Sequence, residues 1–210
     1  MTPELVTAFT LVMLAGLLLA EWQGNHTLVW LFKPLASLGF VTTGWLLRSG
    51  DGGYVWGVLA AQVLSAVGDV FLIPKNKRAF LAGLVSFLLG HVVYATAFVA
   101  RGVATASVLV AAVPMALAAV VVGRWLLPNV EQKMRVPVLA YMGVISVMVS
   151  LAVGTHVSQP VPIALAAAVI FYLSDLSVAR DRFVKKEFIN RAWGLPFYYG
   201  AQLLFAWSLR

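Results

Sequence analysis

Apolar runs of about 20 residues follow one another through this chain, with only short polar breaks between them. A run of that length, coiled as an α-helix, matches the ~30 Å hydrocarbon core of a bilayer. The runs fall at about 4–20, 27–47, 54–73, 79–100, 104–126, 136–154, 159–177 and 190–209. The breaks carry helix stops: Gly24-Asn25, Gly50 to Gly53, Pro74-Lys75-Asn76, Arg101-Gly102, Pro128-Asn129, Gln159-Pro160 and the charged run from Arg180 to Glu187. The spacing predicts an all-α, polytopic membrane protein of about eight transmembrane helices, forming one integral membrane domain over residues 1–210. Composition agrees. The chain is 61% hydrophobic and 11% charged, whereas a soluble domain carries about 25% charged residues.

Several function classes drop out. With no cysteine there is no disulfide, thiol nucleophile or thiolate metal site. Lys and Arg are scattered between apolar helices, so the net charge of +7 does not form a nucleic-acid patch. Glu4 opens the first run and no basic segment precedes it, so a cleavable signal is not expected. No Gly-x-Ser-x-Gly elbow, P-loop or dinucleotide-binding glycine pattern occurs. The breaks are too short for a soluble domain, which leaves the chemistry to the helices and their ends.

Charge asymmetry sets orientation. The breaks after the third, fifth and seventh runs hold Lys75, Lys77, Arg78, Arg124, Lys133, Arg135, Arg180, Arg182, Lys185, Lys186 and Arg191. The opposite side holds Arg48, Arg101 and Arg210. By the positive-inside rule the basic side is cytoplasmic and both termini lie outside, in a multi-pass protein of the cell inner membrane.

Charge inside lipid-length helices is expensive and marks function. Asp69 lies ~6 Å inside the expected end of the third helix. It shares a face with Gln62 and Ser65, which must point into the bundle because lipid cannot satisfy it. The alternative is an interfacial acid neutralised by Lys75 or Lys77. Asp175 lies two to three residues inside the end of the seventh run, on the same side; its alternative is an ion pair with Arg180 or Arg182. Lys33, beside Pro34 in the second helix, either snorkels to the interface or serves as a counter-charge to an aspartate. Glu21 reads as a loop charge.

The fourth helix carries Leu84, Phe87, His91, Tyr94 and Phe98 on one stripe, so His91 is either a packing residue or part of a site. His26, His91 and His156 fall at three membrane levels and cannot share one zinc ion. The eighth helix opens on Asn190-Arg191 and continues to Tyr198, Tyr199 and Gln202. An arginine at a helix N-terminus suits an anion such as a lipid phosphate; an interfacial charge with an aromatic belt reads equally well. A faint echo joins Gly68-Asp69 with Ser174-Asp175, and Arg78-Ala79-Phe80 with Arg191-Ala192-Trp193. Two four-helix halves in parallel repeat produce this pattern, and so does chance.

Taken together, Gly68-Asp69, Gly83-Leu84, Gly90-His91 with Tyr94, Ser174-Asp175, Lys33-Pro34 and Asn190-Arg191-x-x-Gly194-Leu195-Pro196-x-Tyr198-Tyr199-x-x-Gln202 resemble the YhhN-like family of membrane lysoplasmalogenases. The last motif is the most specific, and residues 103–157 carry none. The resemblance implies hydrolysis of the vinyl-ether bond of a lysoplasmalogen, giving a fatty aldehyde and a glycerophospho-headgroup. It implies Asp69 and Asp175 as the catalytic pair and a lysophospholipid partner from the membrane; no cofactor or metal is carried over with it. Such a bond opens when a proton reaches its β-carbon, and two carboxylates in different protonation states suit that task. Arg191 is then expected to bind the phosphate, with Asn190, Tyr198, Tyr199 and Gln202 around the headgroup. Lys33 would support one aspartate, and the His91–Tyr94 stripe would bound the chain channel or orient an aspartate. Two rivals remain: a small transporter or lipid translocator using the same charges, and a hydrolase of other lipids such as a ceramide-type amide. A transporter needs polar groups continuing to the outer side. Small residues at Ala164, Ala167 and Ala168 allow close packing within or between chains.

Overall fold

The computed structural model describes residues 1–210 as eight α-helices with no strand: α1 Pro3–Gln23, α2 His26–Leu47, α3 Gly53–Phe71, α4 Lys77–Arg101, α5 Thr105–Leu126, α6 Gln132–Ser158, α7 Pro162–Ala179 and α8 Phe188–Trp207. Each apolar run becomes one helix. Six of the eight are long and apolar enough on their own to cross a membrane; α2 and α8, which carry Lys33 and Arg191, fall below that level. At 22 and 20 residues they are nonetheless about 30 Å long.

The helix ends follow local chemistry. Thr2, Asn25 and Asn76 cap α1, α2 and α4 by accepting from the backbone N–H of Leu5, Leu28 and Ala79. Gly24, at φ 66°, closes α1 in the left-handed conformation that a side chain resists. Two ends differ from the sequence reading. Helix α3 stops at Phe71, so Asp69 lies two residues from its end; α7 continues to Ala179, so Asp175 lies four residues from its end. The charged run after α7 is not a plain loop either. It carries the chain on through a π-helical turn, Arg180–Val184, before an extended step into α8.

Packing is organised by pairs. Helix α1 lies on α2, α3 on α4, α5 on α6 and α7 on α8, with α4 on α6 and α2 on α8 joining the halves. Advancing every helix by four carries these pairs onto one another; α1 on α8 and the slighter α3 on α8 have no comparable counterpart. The core is aromatic: Phe40, Tyr94, Phe98, Phe171, Tyr199 and Phe205 are fully buried. Ala164, Ala167 and Ala168 are fully buried too, so their small size serves packing within the chain. Helix α5 is peripheral, with Leu109, Val110, Val113, Leu117, Val120 and Val121 exposed as a lipid-facing surface requires. Close approach at Gly68 sets one part of the site: a Cβ there would stand 2.7 Å from the ring of Phe87, so α3 and α4 meet at the level of Asp69 only through glycine.

Candidate active site

A cavity of about 770 Å³ opens at the basic end of the bundle, within the range of small-molecule sites. Its mouth carries Glu21, His26, Lys75, Asp181, Arg182, Lys185, Lys186 and Arg191. Its inner wall is apolar, with Leu84, Phe87, Val138, Met142 and Ile145. None of its lining residues comes from the turns at the opposite end of the bundle. Both Asp69 and Asp175 line it.

Asp69 is 2% exposed and Lys33 is 4% exposed. Lys33 Nζ lies 3.2 Å from Asp69 Oδ1. Tyr198 Oη donates to Asp69 Oδ2 at 2.6 Å, and Ser37 Oγ donates to the same atom at 2.7 Å. Ser37 has one proton, so its approach to the Lys33 carbonyl leaves that acceptor to Tyr199, whose hydroxyl reaches it at 3.2 Å. A helix stripe explains the set: Ser37 stands one turn after Lys33, and both face α3 across the bundle. Of the two readings open for Lys33, the structure bears the counter-charge. Lys75 and Lys77 are elsewhere, beside His26 and on Glu131.

Asp175 keeps different company. Tyr141 Oη donates to its Oδ2 at 2.8 Å, and His91 Nε2 lies 3.4 Å from the same oxygen. His91 is 1% exposed, packed between Phe171 and Tyr141, and its Nδ1 lies 2.7 Å from Phe87 O. It stands behind Asp175 and does not line the cavity. Neither Arg180 nor Arg182 is the partner: Arg180 holds Glu187 and Asn190, and Arg182 lies over the ring of Phe80.

At the mouth, Arg191 is already paired, with Asp181 at 3.0 Å and Glu21 at 3.4 Å. Asn190 knits the turn together: it accepts from Arg180 and donates to Asp181 and to the Lys185 carbonyl. Lys185 and Arg180 hold the Glu187 carboxyl below its usual range, as Lys77 does for Glu131. Both glutamates lie in turns outside the helices that cross the bilayer.

Three further expected site residues, like His91, stand off the cavity: Tyr94, Tyr199 and Gln202 do not line it. Tyr94 donates to Gln202 Oε1 at 2.7 Å and stacks on Phe205, and Gln62 donates to the Gln202 carbonyl. Tyr94, Gln62 and Gln202 thus bond within the core, leaving Gln202 Nε2 and Gln62 Oε1 without partners, and Tyr199 backs the Asp69 site through Lys33 O and Ser37. Asn190, Arg191, Tyr198, Lys33 and both aspartates do line it. Four residues with partners in the site escaped the sequence reading: Ser37, Tyr141, Asp181 and, read there only as a loop charge, Glu21. Tyr141 had one available signal, being the one Phe, Trp or Tyr in α6.

Fold and site together define an integral membrane protein with a half-apolar cavity, one buried and one partly buried carboxyl at its wall, and a basic mouth. The chain belongs to the YhhN family, whose description matches residues 28–209. It is 30% identical to lysoplasmalogenase TMEM86A of Bos taurus over 188 residues, 86% of this chain and 72% of the relative. It is 33% identical to lysoplasmalogenase TMEM86B of Mus musculus, over 83% of this chain and 72% of the relative. Lysoplasmalogenase TMEM86A of Homo sapiens is 31% identical over 86% and 72%. No solved structure matches the chain.

Proposed function

We propose that this chain is a lysoplasmalogenase-type hydrolase. It cleaves the vinyl-ether bond of a membrane lysophospholipid to a fatty aldehyde and a glycerophospho-headgroup, with Asp69 and Asp175 as its acid–base pair. One observation carries the reading: two carboxylates from distant helices share one cavity with an apolar interior and a cationic mouth. The names of the relatives agree with it. The cavity suits a single-chain amphiphile, since 22 of its 40 lining residues are hydrophobic. The alkenyl chain lies along Leu84, Met142 and Ile145, and the phosphate lies at the mouth by Arg191. There it competes with Asp181 and Glu21 for the guanidinium.

The chemistry needs a proton at the β-carbon, a negative charge beside the resulting oxocarbenium ion, and a base for the attacking water. Two carboxyls in different protonation states supply all three. The charge asymmetry supports a cell inner membrane setting, one integral membrane domain, both termini outside and a site open toward the cytoplasmic leaflet. A translocator would need a polar path onward. The cavity's lining stops short of the opposite turns, which favours the hydrolase.

The test is incubation of the purified protein with a synthetic lysoplasmalogen and with its saturated alkyl analogue, following aldehyde. Release from the vinyl ether alone is expected. Release from neither, by folded protein, would remove the reading.

A further inference from the structure

The two aspartates occupy matching places in the two halves but meet opposite partners. Asp69 on α3 is approached from α2 and α8; Asp175 on α7 is approached from α6 and α4. Advancing each helix by four carries one set onto the other. Asp69 receives an ammonium and two hydroxyl protons. Asp175 receives one hydroxyl proton and a ring nitrogen.

That nitrogen brings no proton of its own. Phe87 O can only accept, so the proton of neutral His91 sits on Nδ1. Nε2 is then bare, buried and without a hydrogen bond, 3.4 Å from Asp175 Oδ2. Two lone-pair atoms oppose each other there unless a proton lies between them. A proton on the imidazole would create two charges between the rings of Phe171 and Tyr141; a proton on the carboxyl creates none. Asp175 also reaches the cavity, at 17% side-chain exposure, while His91 does not.

We propose that Asp175 holds the proton delivered to the substrate, that His91 is the positioning residue that keeps it loaded, and that Asp69 is the permanent carboxylate. This rests on the vinyl-ether reading above. The Asp175 O–H bond breaks as the C=C π pair takes its proton at the β-carbon, leaving an oxocarbenium ion and an Asp175 carboxylate. Asp69 supplies the negative charge that balances the cation. Water adds its oxygen to the α-carbon and returns a proton to Asp175. The hemiacetal then collapses: Asp175 protonates the ether oxygen, the C–O bond breaks, and the hemiacetal hydroxyl gives its proton back to Asp175. Aldehyde and alcohol leave, with one water consumed and the acid restored.

Infrared difference spectroscopy of the full-length protein in lipid vesicles at neutral pH tests this without turnover. A protonated carboxyl shows a carbonyl stretch separate from that of a carboxylate. The band is expected in the parent and in Asp69→Asn, and absent in Asp175→Asn. In His91→Leu, which removes the acceptor, it should move to higher frequency. In His91→Gln, whose Oε1 still accepts, it should stay near the parental position. A band lost in Asp69→Asn and kept in Asp175→Asn would overturn the assignment, as would no band in the parent. If the leucine variant fails to fold, the asparagine and glutamine variants still decide. Failure to cleave lysoplasmalogen with the bands as expected sinks the substrate reading and leaves the proton's location standing.

Discussion

Removing the Lys33 ammonium while Asp69 stays strands a carboxylate that is 2% exposed. Breaking a buried pair from one side costs about 3–5 kcal/mol, because the surviving charge is left desolvated. Ser37 and Tyr198 still donate to Oδ2, which sets Lys33→Met near the lower end, about 3 kcal/mol. That is roughly a 100-fold change in the unfolding equilibrium and, for a chain of this size, a fall of about 6–12 °C in melting temperature. Asp69→Asn placed on top removes the stranded charge, and at least half of the loss should return. The coupling in the double-mutant cycle should then exceed about 1.5 kcal/mol. Thermal unfolding of the four proteins in one detergent, followed by tryptophan fluorescence, reads it out. Losses that simply add, or a Lys33→Met variant melting within 1–2 °C of the parent (roughly the change expected for less than 1 kcal/mol), would show that the pair does not hold this part of the bundle.

Other outcomes follow from the same geometry. A Cβ at Gly194 would come within 2.5 Å of Ser177 Cβ, so Gly194→Ala should cost about 1–3 kcal/mol by overpacking. Adding Ser177→Gly should recover most of it in the same melt. Tyr141→Phe removes the one hydroxyl proton given to Asp175 and should lower kcat by about tenfold, the worth of roughly one hydrogen bond, with KM little changed. The Glu131 and Glu187 carboxyls are held below their usual range in the folded protein. Their pairing is therefore complete above the unfolded value near 4.5 and is lost as pH falls through the lower folded values. Protease nicking of the α5–α6 and α7–α8 turns should stay flat from neutral pH down to that point and rise below it. In D2O, aldehyde trapped as it forms should carry one deuterium beside the carbonyl.

Much of this was legible because the bilayer imposes so few solutions. Each apolar run had to be a helix, and the face bearing Gln62, Ser65 and Asp69 had to turn inward, as it does. Pairings between distant helices were harder. Lys33 gave two readings, because a snorkelling lysine and a counter-charge look alike until α2 is set against α3. His91 likewise read as well for packing as for a site: its partner within its own helix is the Phe87 carbonyl, and Asp175 comes beside it only when α4 meets α7. Tyr94 and Gln202 looked like site residues because buried polarity is costly, yet the Tyr94 hydroxyl is taken up by Gln202 Oε1 inside the core, away from the cavity. Arg191 read equally as an anion site and as an interfacial charge; Asp181, brought back by the π-helical turn that looked like a loop, is paired with it.

The rate of aldehyde release by folded Asp69→Asn and Asp175→Asn proteins, against the parent on the same lysoplasmalogen, goes straight to the centre of the account. Both variants should fall by about 100-fold or more, the scale of losing a general acid or a charge set against the developing cation, while melting as folded proteins. Parental release from either one would mean that the two carboxyls do not form the machinery.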